Sequence, residues 1–221
     1  MIKFDQVSKQ YNQDFFIVYN LNFEIFKNTV FVGKADDGTN TILRLMSGLE
    51  HPSAGNIFID NKDIKCFKNK DLPLSFIPKG ICLFENKTVF ENIIYPLKIR
   101  KISNNIAKND VFDLFFDENI KLFLKNKNFD TNSFLKTEIK KLNCCEKKLV
   151  MLLRSMVRNP KYIIAENLLF ELDEESKILF LKLIEKQSKN NFCTFILCEE
   201  TDQELLKNFD KIAIESGSIT F

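Results

Sequence analysis

Apolar and polar residues alternate from the start of the chain. Ile2 and Phe4, then Phe16, Val18, Leu21, Phe23 and Ile25, keep a period of two on either side of the turn-forming run Tyr11-Asn12-Gln13-Asp14. That is the period of a strand with one buried face, so residues 1–27 predict an antiparallel hairpin. Residues 28–33 read as a short buried strand running into a loop. From 41 to 49 the apolar positions Ile42, Leu43, Leu45, Met46 and Leu49 return at helical spacing. His51-Pro52-Ser53-Ala54-Gly55 predicts a turn, and Ile57-Phe58-Ile59 a further strand. The middle of the chain predicts helices over 89–99, 111–124 and 147–157. After it strand and helix alternate: a strand at 162–165, a helix over 174–187, a strand at 192–198, a short helix near Glu204 and a strand at 212–214. Such alternation implies a parallel sheet covered on both faces. No internal repeat or low-complexity linker interrupts it, so residues 1–221 read as one α/β domain with an antiparallel edge and a helical insertion.

Composition narrows the picture without changing it. Hydrophobic residues make up 45% and charged residues 28% of 221 positions, which suits a globular chain with a core of its own and excludes a disordered one. Lys plus Arg number 32 against 30 Asp plus Glu, a balance that by charge alone suggests neither a nucleic-acid nor a membrane-surface protein, and no nucleic-acid partner is expected. No apolar run approaches the roughly 20 residues of a membrane span. Met1-Ile2-Lys3-Phe4-Asp5 lacks the layout of a signal peptide. The expectation is a cytoplasmic chain with no transmembrane segment of its own. Cys66, Cys82, Cys144, Cys145, Cys193 and Cys198 form no CxxC pair and His51 is the one histidine, so the cysteines are expected to be free thiols, mostly buried as small apolar residues, and to bind no zinc.

The candidate chemistry lies where the strand at 28–33 meets the helix. Gly33-Lys34-Ala35-Asp36-Asp37-Gly38-Thr39-Asn40-Thr41 carries its two glycines at the spacing of a GxxxxGK[ST] phosphate loop, in which backbone N–H groups and a Lys face the phosphates and a hydroxyl meets Mg²⁺. Thr39 and Asn40 stand at the Lys and hydroxyl positions. On spacing alone the same glycines also suit an ordinary tight turn.

Further stretches extend the pattern over essentially the whole chain. They are the opening strand with Tyr11, Leu43-Arg44-Leu45-Met46-Ser47-Gly48-Leu49-Glu50 with Pro52, Ser53 and Gly55, Thr88-Val89-Phe90-Glu91-Asn92-Ile93, Arg154 to Lys161, and Leu172-Asp173. In these the sequence resembles the nucleotide-binding domain of ABC transporters. The resemblance implies a P-loop NTPase core with an N-terminal antiparallel β subdomain and a helical subdomain at about 84–156. It also implies ATP and Mg²⁺ as cofactors and a dimer, homo- or heteromeric, with each ATP held between one subunit's phosphate loop and the other's signature. A second ABC ATPase subunit and a membrane permease are the implied partners, at the inner face of the cell membrane. The nucleotide would meet Tyr11 as an adenine platform, Gly33 to Thr41 as phosphate loop, and the signature of a second subunit, here Leu142-Asn143-Cys144-Cys145-Glu146. Mg²⁺ would meet Asn40, Lys79 and Glu166.

The departures from that family pattern matter as much as the matches. Thr39 replaces the phosphate-binding Lys, Lys79 the Q-loop Gln, and Asn143-Cys144-Cys145-Glu146 the SGGQ of the signature. Glu166 replaces the Walker B Asp, Asn167 the catalytic Glu, and Glu200 the switch His. Thr39 brings no positive charge, and Asp36 and Asp37 put carboxylates into a loop that should face an anion. Asn167 has no titratable acceptor for a proton from water. Glu200 repels a phosphate, and two Cβ atoms enter the signature where glycine permits close approach. The expected function is a degenerate, non-hydrolysing subunit that supports a permease or an active ATPase partner. Two alternatives stand beside it: a working ATPase in which Lys34 or Lys79 supplies the missing charge and Glu166 or Glu200 the base, and a soluble interaction protein that retains the fold. Blander readings also stand. Tyr11 suits strand-edge packing, Glu166 a carboxylate bonded to nearby backbone, Glu199-Glu200 with Asp202 a solvated helix start, and Cys144-Cys145 plain packing.

Overall fold

The computed structural model describes residues 1–11, 15–33, 37–191, 193–198 and 205–220. They form two compact units, one of Met1–Phe76, Tyr162–Leu168 and Thr194–Phe221, the other of Ile77–Lys161 and Leu169–Cys193.

Among the described residues, the first unit holds the strands β1 (Ile2–Gln10), β2 (Phe16–Ile25), β3 (Thr29–Val32), β4 (Ala54–Ile59), β5 (Lys62–Asp63), β6 (Leu74–Ile77, reaching one residue into the second unit), β7 (Tyr162–Glu166), β8 (Thr194–Cys198), β9 (Asp210–Glu215) and β10 (Ser218–Thr220), and one α-helix, α1 (Thr39–Met46). β1 and β2 pair antiparallel, with Ile2 opposite Ile25 and Phe4 opposite Phe23, and the alternating pattern of both strands puts these side chains on one face. They belong to a four-stranded sheet of order β2-β1-β4-β5. The second sheet has the order β10-β9-β3-β8-β7-β6. β3 runs parallel to both β8 and β9, and β7 parallel to β8. Tyr162-Ile163-Ile164-Ala165 and Phe195-Ile196-Leu197-Cys198 are buried at every position, as expected of central parallel strands covered on both faces. The edge strands β6 and β10 are short, and no hydrophobic period in the sequence announces them.

Eight residues are too few for α1 to hold in isolation. Its stability comes from Ile42, Leu43, Leu45 and Met46, all fully buried and each worth roughly 1.5–3 kcal/mol relative to exposure. These four share one core with Phe4, Val18 and Ile57 of the antiparallel sheet and Phe31, Ile164 and Ile196 of the parallel one.

The second unit is helical: α2 (Val89–Ile99), α3 (Asn104–Leu114), α4 (Glu118–Asn126), α5 (Thr131–Lys136), α6 (Cys144–Met156) and α7 (Glu174–Asn191). The single helix expected over 111–124 is broken into α3 and α4. Phe115 closes α3, and the Asp117 carboxylate accepts the Asn119 N–H at 2.8 Å as the N-cap of α4. A carboxylate that bonds its own backbone competes with helix continuation, and it wins here despite an unbroken apolar stripe. The short helix expected near Glu204, and Phe192 at the start of a predicted strand, lie outside the described residues. All six cysteines are free thiols, but only Cys193 and Cys198 are buried. The expectation of mostly buried cysteines is thus corrected: Cys66, Cys82 and Cys144 are exposed and Cys145 is half-buried, because they sit at helix ends and in a loop rather than in strands.

Candidate functional site

β3 ends at Val32, and Gly33 begins the loop into α1. Lys34, Ala35 and Asp36 lie outside the described residues. A side chain on Gly33 would come within 2.7 Å of the Ile214 carbonyl oxygen and 2.8 Å of the Thr39 hydroxyl, so this close approach admits only glycine. At the far end Gly38 has φ 87°, the left-handed conformation glycine adopts freely, and its carbonyl accepts the Ile42 N–H at 3.0 Å to start the helix. Thr39 is buried, its hydroxyl against Gly33. Asp37 is turned toward the β9–β10 turn: its carboxylate accepts the Ser216 N–H at 3.2 Å and its carbonyl the Gly217 N–H at 3.0 Å. That carboxylate is therefore engaged by backbone rather than left to face an anion. Asn40 and Thr41 complete the first turn of α1, which holds no acidic residue and no side-chain cap. A helix N-terminus of this kind carries partial positive charge and outward N–H groups.

The C-terminal ends of three parallel strands meet beside this loop, with Phe31 of β3 opposite Cys198 of β8, and Cys198 opposite Glu166 of β7. Glu166 thus stands two strands from β3, about 10 Å across the sheet, at the edge where open α/β sheets hold their ligands. Asn167 follows with φ 48° and is buried. Its N–H donates to the Cys198 carbonyl at 2.8 Å. Asparagine tolerates the left-handed region better than most residues, so the turn itself favours this residue type. Glu199 and Glu200 lie outside the described residues.

Tyr11 is not packed into the sheet edge, since its side chain is 58% exposed. Its hydroxyl donates to Glu50 at 2.5 Å, and Glu50 also takes Arg44 at 2.5 Å and lies 3.6 Å from Lys9. The Lys9 ammonium stands 5.1 Å from the centre of the Tyr11 ring. Partial burial and the Glu50 hydrogen bond push the Tyr11 hydroxyl up. Burial also pushes the Glu50 carboxyl up, but the hydrogen bonds from Tyr11 and Arg44 outweigh it and hold Glu50 below the ordinary carboxylate range.

The remaining site residues lie in the helical unit. Leu142 is buried, and Asn143 is the N-cap of α6 in a reciprocal pair with Glu146. The Asn143 side chain accepts the Glu146 N–H at 2.9 Å while Glu146 accepts both the backbone and the side-chain N–H of Asn143, each at 2.9 Å. A buried carboxylate therefore already sits at this helix N-terminus. Cys144 donates to Glu171 at 3.8 Å and Cys145 to Ser176 at 3.3 Å, and burial pushes the Cys145 thiol up. Asp173 caps α7, accepting the Ser176 N–H at 2.8 Å and pairing with Lys127 at 3.0 Å. Lys79 is exposed in the loop after β6. Sequence reasoning missed Glu50 and Lys127. It also missed the Asn143–Glu146 cap, although Asn-x-x-Glu before an apolar run is a visible capping signature.

A parallel sheet whose leading strand passes through a glycine-framed loop into a buried helix, with a carboxylate ending the strand two places away, defines a P-loop NTPase-type α/β fold. A sequence profile of the ABC transporter family matches residues 18–168, and the chain belongs to that family. Over 230 residues it is 31% identical to methionine import ATP-binding protein MetN 1 of Bacillus thuringiensis subsp. konkukian (strain 97-27), a match covering 99% of this chain and 65% of that protein. Over 214 residues it is 25% identical to the uncharacterized ABC transporter ATP-binding protein YurJ of Bacillus subtilis (strain 168), covering 96% of this chain and 55% of that one. The chain thus spans just under two thirds of the length of its MetN relatives. Among solved structures, the dimeric bacterial ABC transporter cassette MJ0796 superposes with a TM-score of 0.83 at 19% identity, over 100% of this chain and 97% of that one. A bacterial Atm1-family ABC exporter with ATP bound gives a TM-score of 0.82 at 22% identity, over 100% of this chain and 38% of that one. Both share the ABC ATPase fold with this chain.

Proposed function

We propose that this chain is the ATP-binding subunit of an ABC transporter, one that keeps the nucleotide-binding fold and does not hydrolyse ATP. It acts as a structural or regulatory half beside a permease and a second ABC ATPase subunit, at the cytoplasmic face of the membrane. The MetN relatives are named for methionine import, which favours uptake over export.

The observation that carries this reading is Asn167. The family pattern puts a catalytic carboxylate there, whereas this chain has a neutral amide, buried and fixed in a left-handed turn by its own N–H. An amide accepts no proton from water at neutral pH, so the position cannot serve as general base. Thr39 and Glu146 support the same conclusion. The N-terminus of α1 has no acidic residue in its first turn and so suits a phosphate, while Gly33 and Gly38 let the ends of the loop pack closely against Ile214 and Ile17. Thr39 adds no charge to that cradle. Asn40 and Glu166 offer oxygens suited to Mg²⁺, while Lys79 has no acceptor and repels a cation. When bound, Mg²⁺ would neutralise phosphate charge. Glu146 leaves α6 closed by a carboxylate of its own, unsuited to a partner's phosphate. The permease contact is assigned to the stretch from Leu83 to Ile99, which exposes Phe84 and Tyr95 in an edge-to-face pair with ring centres 4.7 Å apart.

Calorimetric titration with Mg-ATP tests the nucleotide side, with Asp36→Gly/Thr39→Lys as a repaired chain. A charged hydrogen bond to phosphate is worth about 1.5–3 kcal/mol, so the repaired chain should bind roughly 10- to 100-fold more tightly. Equal affinity of the two chains would contradict the reading.

A further inference from the structure

The corner between α2 and α3 combines two features that a water-facing turn does not need together. Residues 98–108 read Lys98-Ile99-Arg100-Lys101-Ile102-Ser103-Asn104-Asn105-Ile106-Ala107-Lys108, with four cations and no acid. Ile99 and Ile106 are more than half exposed, at 56% and 57%, and Ile102 is 37% exposed. Among the described residues no ion pair or hydrogen bond engages the side chains of Lys98, Lys101 or Lys108.

The corner is also firmly built. The Ile102 N–H donates to the Leu97 carbonyl at 3.1 Å and the Lys101 N–H to the Lys98 carbonyl at 2.9 Å, the paired bonds of a Schellman C-cap. Such a cap needs a left-handed residue, most often glycine. Here it is Lys101 with φ 59°, a conformation that is uncommon for a residue with a long side chain. The chain therefore holds a cation at the apex where glycine would fit with less strain. The α2 C-terminus beneath it, with its partial negative charge, accepts that cation but leaves its head in water.

We propose that this corner rests on the anionic headgroup surface of a lipid bilayer, with Ile99 and Ile106 entering the interface and Lys98, Lys101 and Lys108 lying among the phosphates. The choice of a lipid surface follows from charge complementarity. Lys98, Lys101 and Lys108 around separate isoleucines suit a plane of diffuse negative charge over an apolar interior. The proposal goes beyond the nucleotide reading, because it requires neither nucleotide nor permease, and it assigns Lys98 and Ile99, at the end of the stretch given to the permease, to the lipid surface instead.

Vesicle sedimentation of the purified chain tests it, using phosphatidylcholine vesicles with and without phosphatidylglycerol. Binding is expected only with the anionic lipid, and it should weaken as added salt screens the cations. Each cation near such a surface contributes roughly fivefold to partitioning. Lys98→Gln/Lys101→Gln/Lys108→Gln should therefore bind on the order of a hundredfold more weakly, and Ile99→Ser/Ile106→Ser at least tenfold more weakly, with unchanged circular dichroism. Equal binding to pure phosphatidylcholine overturns the proposal, as does a triple-glutamine variant that binds like the parent. Failure to bind vesicles while the same variants lose a co-purifying membrane protein also overturns it and assigns the corner to a protein partner. None of these outcomes bears on the Mg-ATP titration, so the two readings fail separately.

Discussion

Gly38 and its neighbours carry the strictest demands at the scale of single residues. A side chain there would meet the Ile17 carbonyl oxygen at 2.8 Å and would have to hold φ near 87°. The left-handed conformation alone costs an ordinary residue roughly 1–2 kcal/mol, and the contact adds to it. Gly38→Ala should lower stability by about 2 kcal/mol in urea denaturation, and a loss below about 0.5 kcal/mol would show that the loop tolerates side chains. In this region the family resemblance, not the structure, implies Thr39 at the Lys position and Asn167 at the carboxylate position. Orientation was not readable. Asp37 looked like a carboxylate facing an anion, yet its partner is the Ser216 N–H, 179 positions away. Tyr11 was readable as a candidate, but the Glu50 carboxylate that holds it comes from beyond the end of α1.

At the scale of elements, capping carboxylates such as Asp117 and Asp173 decide where helices of the helical unit start. Asp173 begins α7, where the Ser176 N–H, Lys127 and the Ser176 hydroxyl hold its carboxyl at about 2, below an ordinary value of 3.8. The folded-state value is the depressed one, so the stabilisation is full above pH 3.8 and is lost as pH falls toward about 2. The side chain is 52% exposed, so solvent screening keeps the effect small. Asp173→Asn, which keeps a capping oxygen, should be slightly less stable than the parent in denaturant at neutral pH, and the difference should close as pH falls toward 2. A gap independent of pH would remove the charge from the account. The same physics explains where the pattern of elements failed. The apolar stripe from Val111 to Leu124 runs across Asp117 without a break, and periodicity records burial, not the capping bond that ends α3 and starts α4. Strands and helices with their own strong periods, such as β1, β2, β7 and α6, were readable because burial alone fixes them. Short edge strands such as β6 and β10 owe their pairing to distant neighbours.

At the scale of the whole molecule, the sequence and the fold agree on the class, and the site sets the activity. The chain belongs to the ABC transporter family, and its ends and middle carry the same architecture as solved cassettes at only 19–22% identity. The core of this fold, from Phe4 through α1 to Ile196, uses none of the residues assigned to the site, so the proposed loss of catalytic groups would leave it intact. Removing one catalytic group from a site of this kind typically costs orders of magnitude in rate, and in the proposed reading the Lys, signature, base and switch positions all differ together. The most direct measurement is steady-state ATP hydrolysis by the purified chain with Mg²⁺, compared with its Glu166→Gln variant. The account predicts no turnover above the buffer background for either protein. Turnover by the natural chain that disappears in Glu166→Gln would contradict it and make Glu166 part of a working, unusual ATPase.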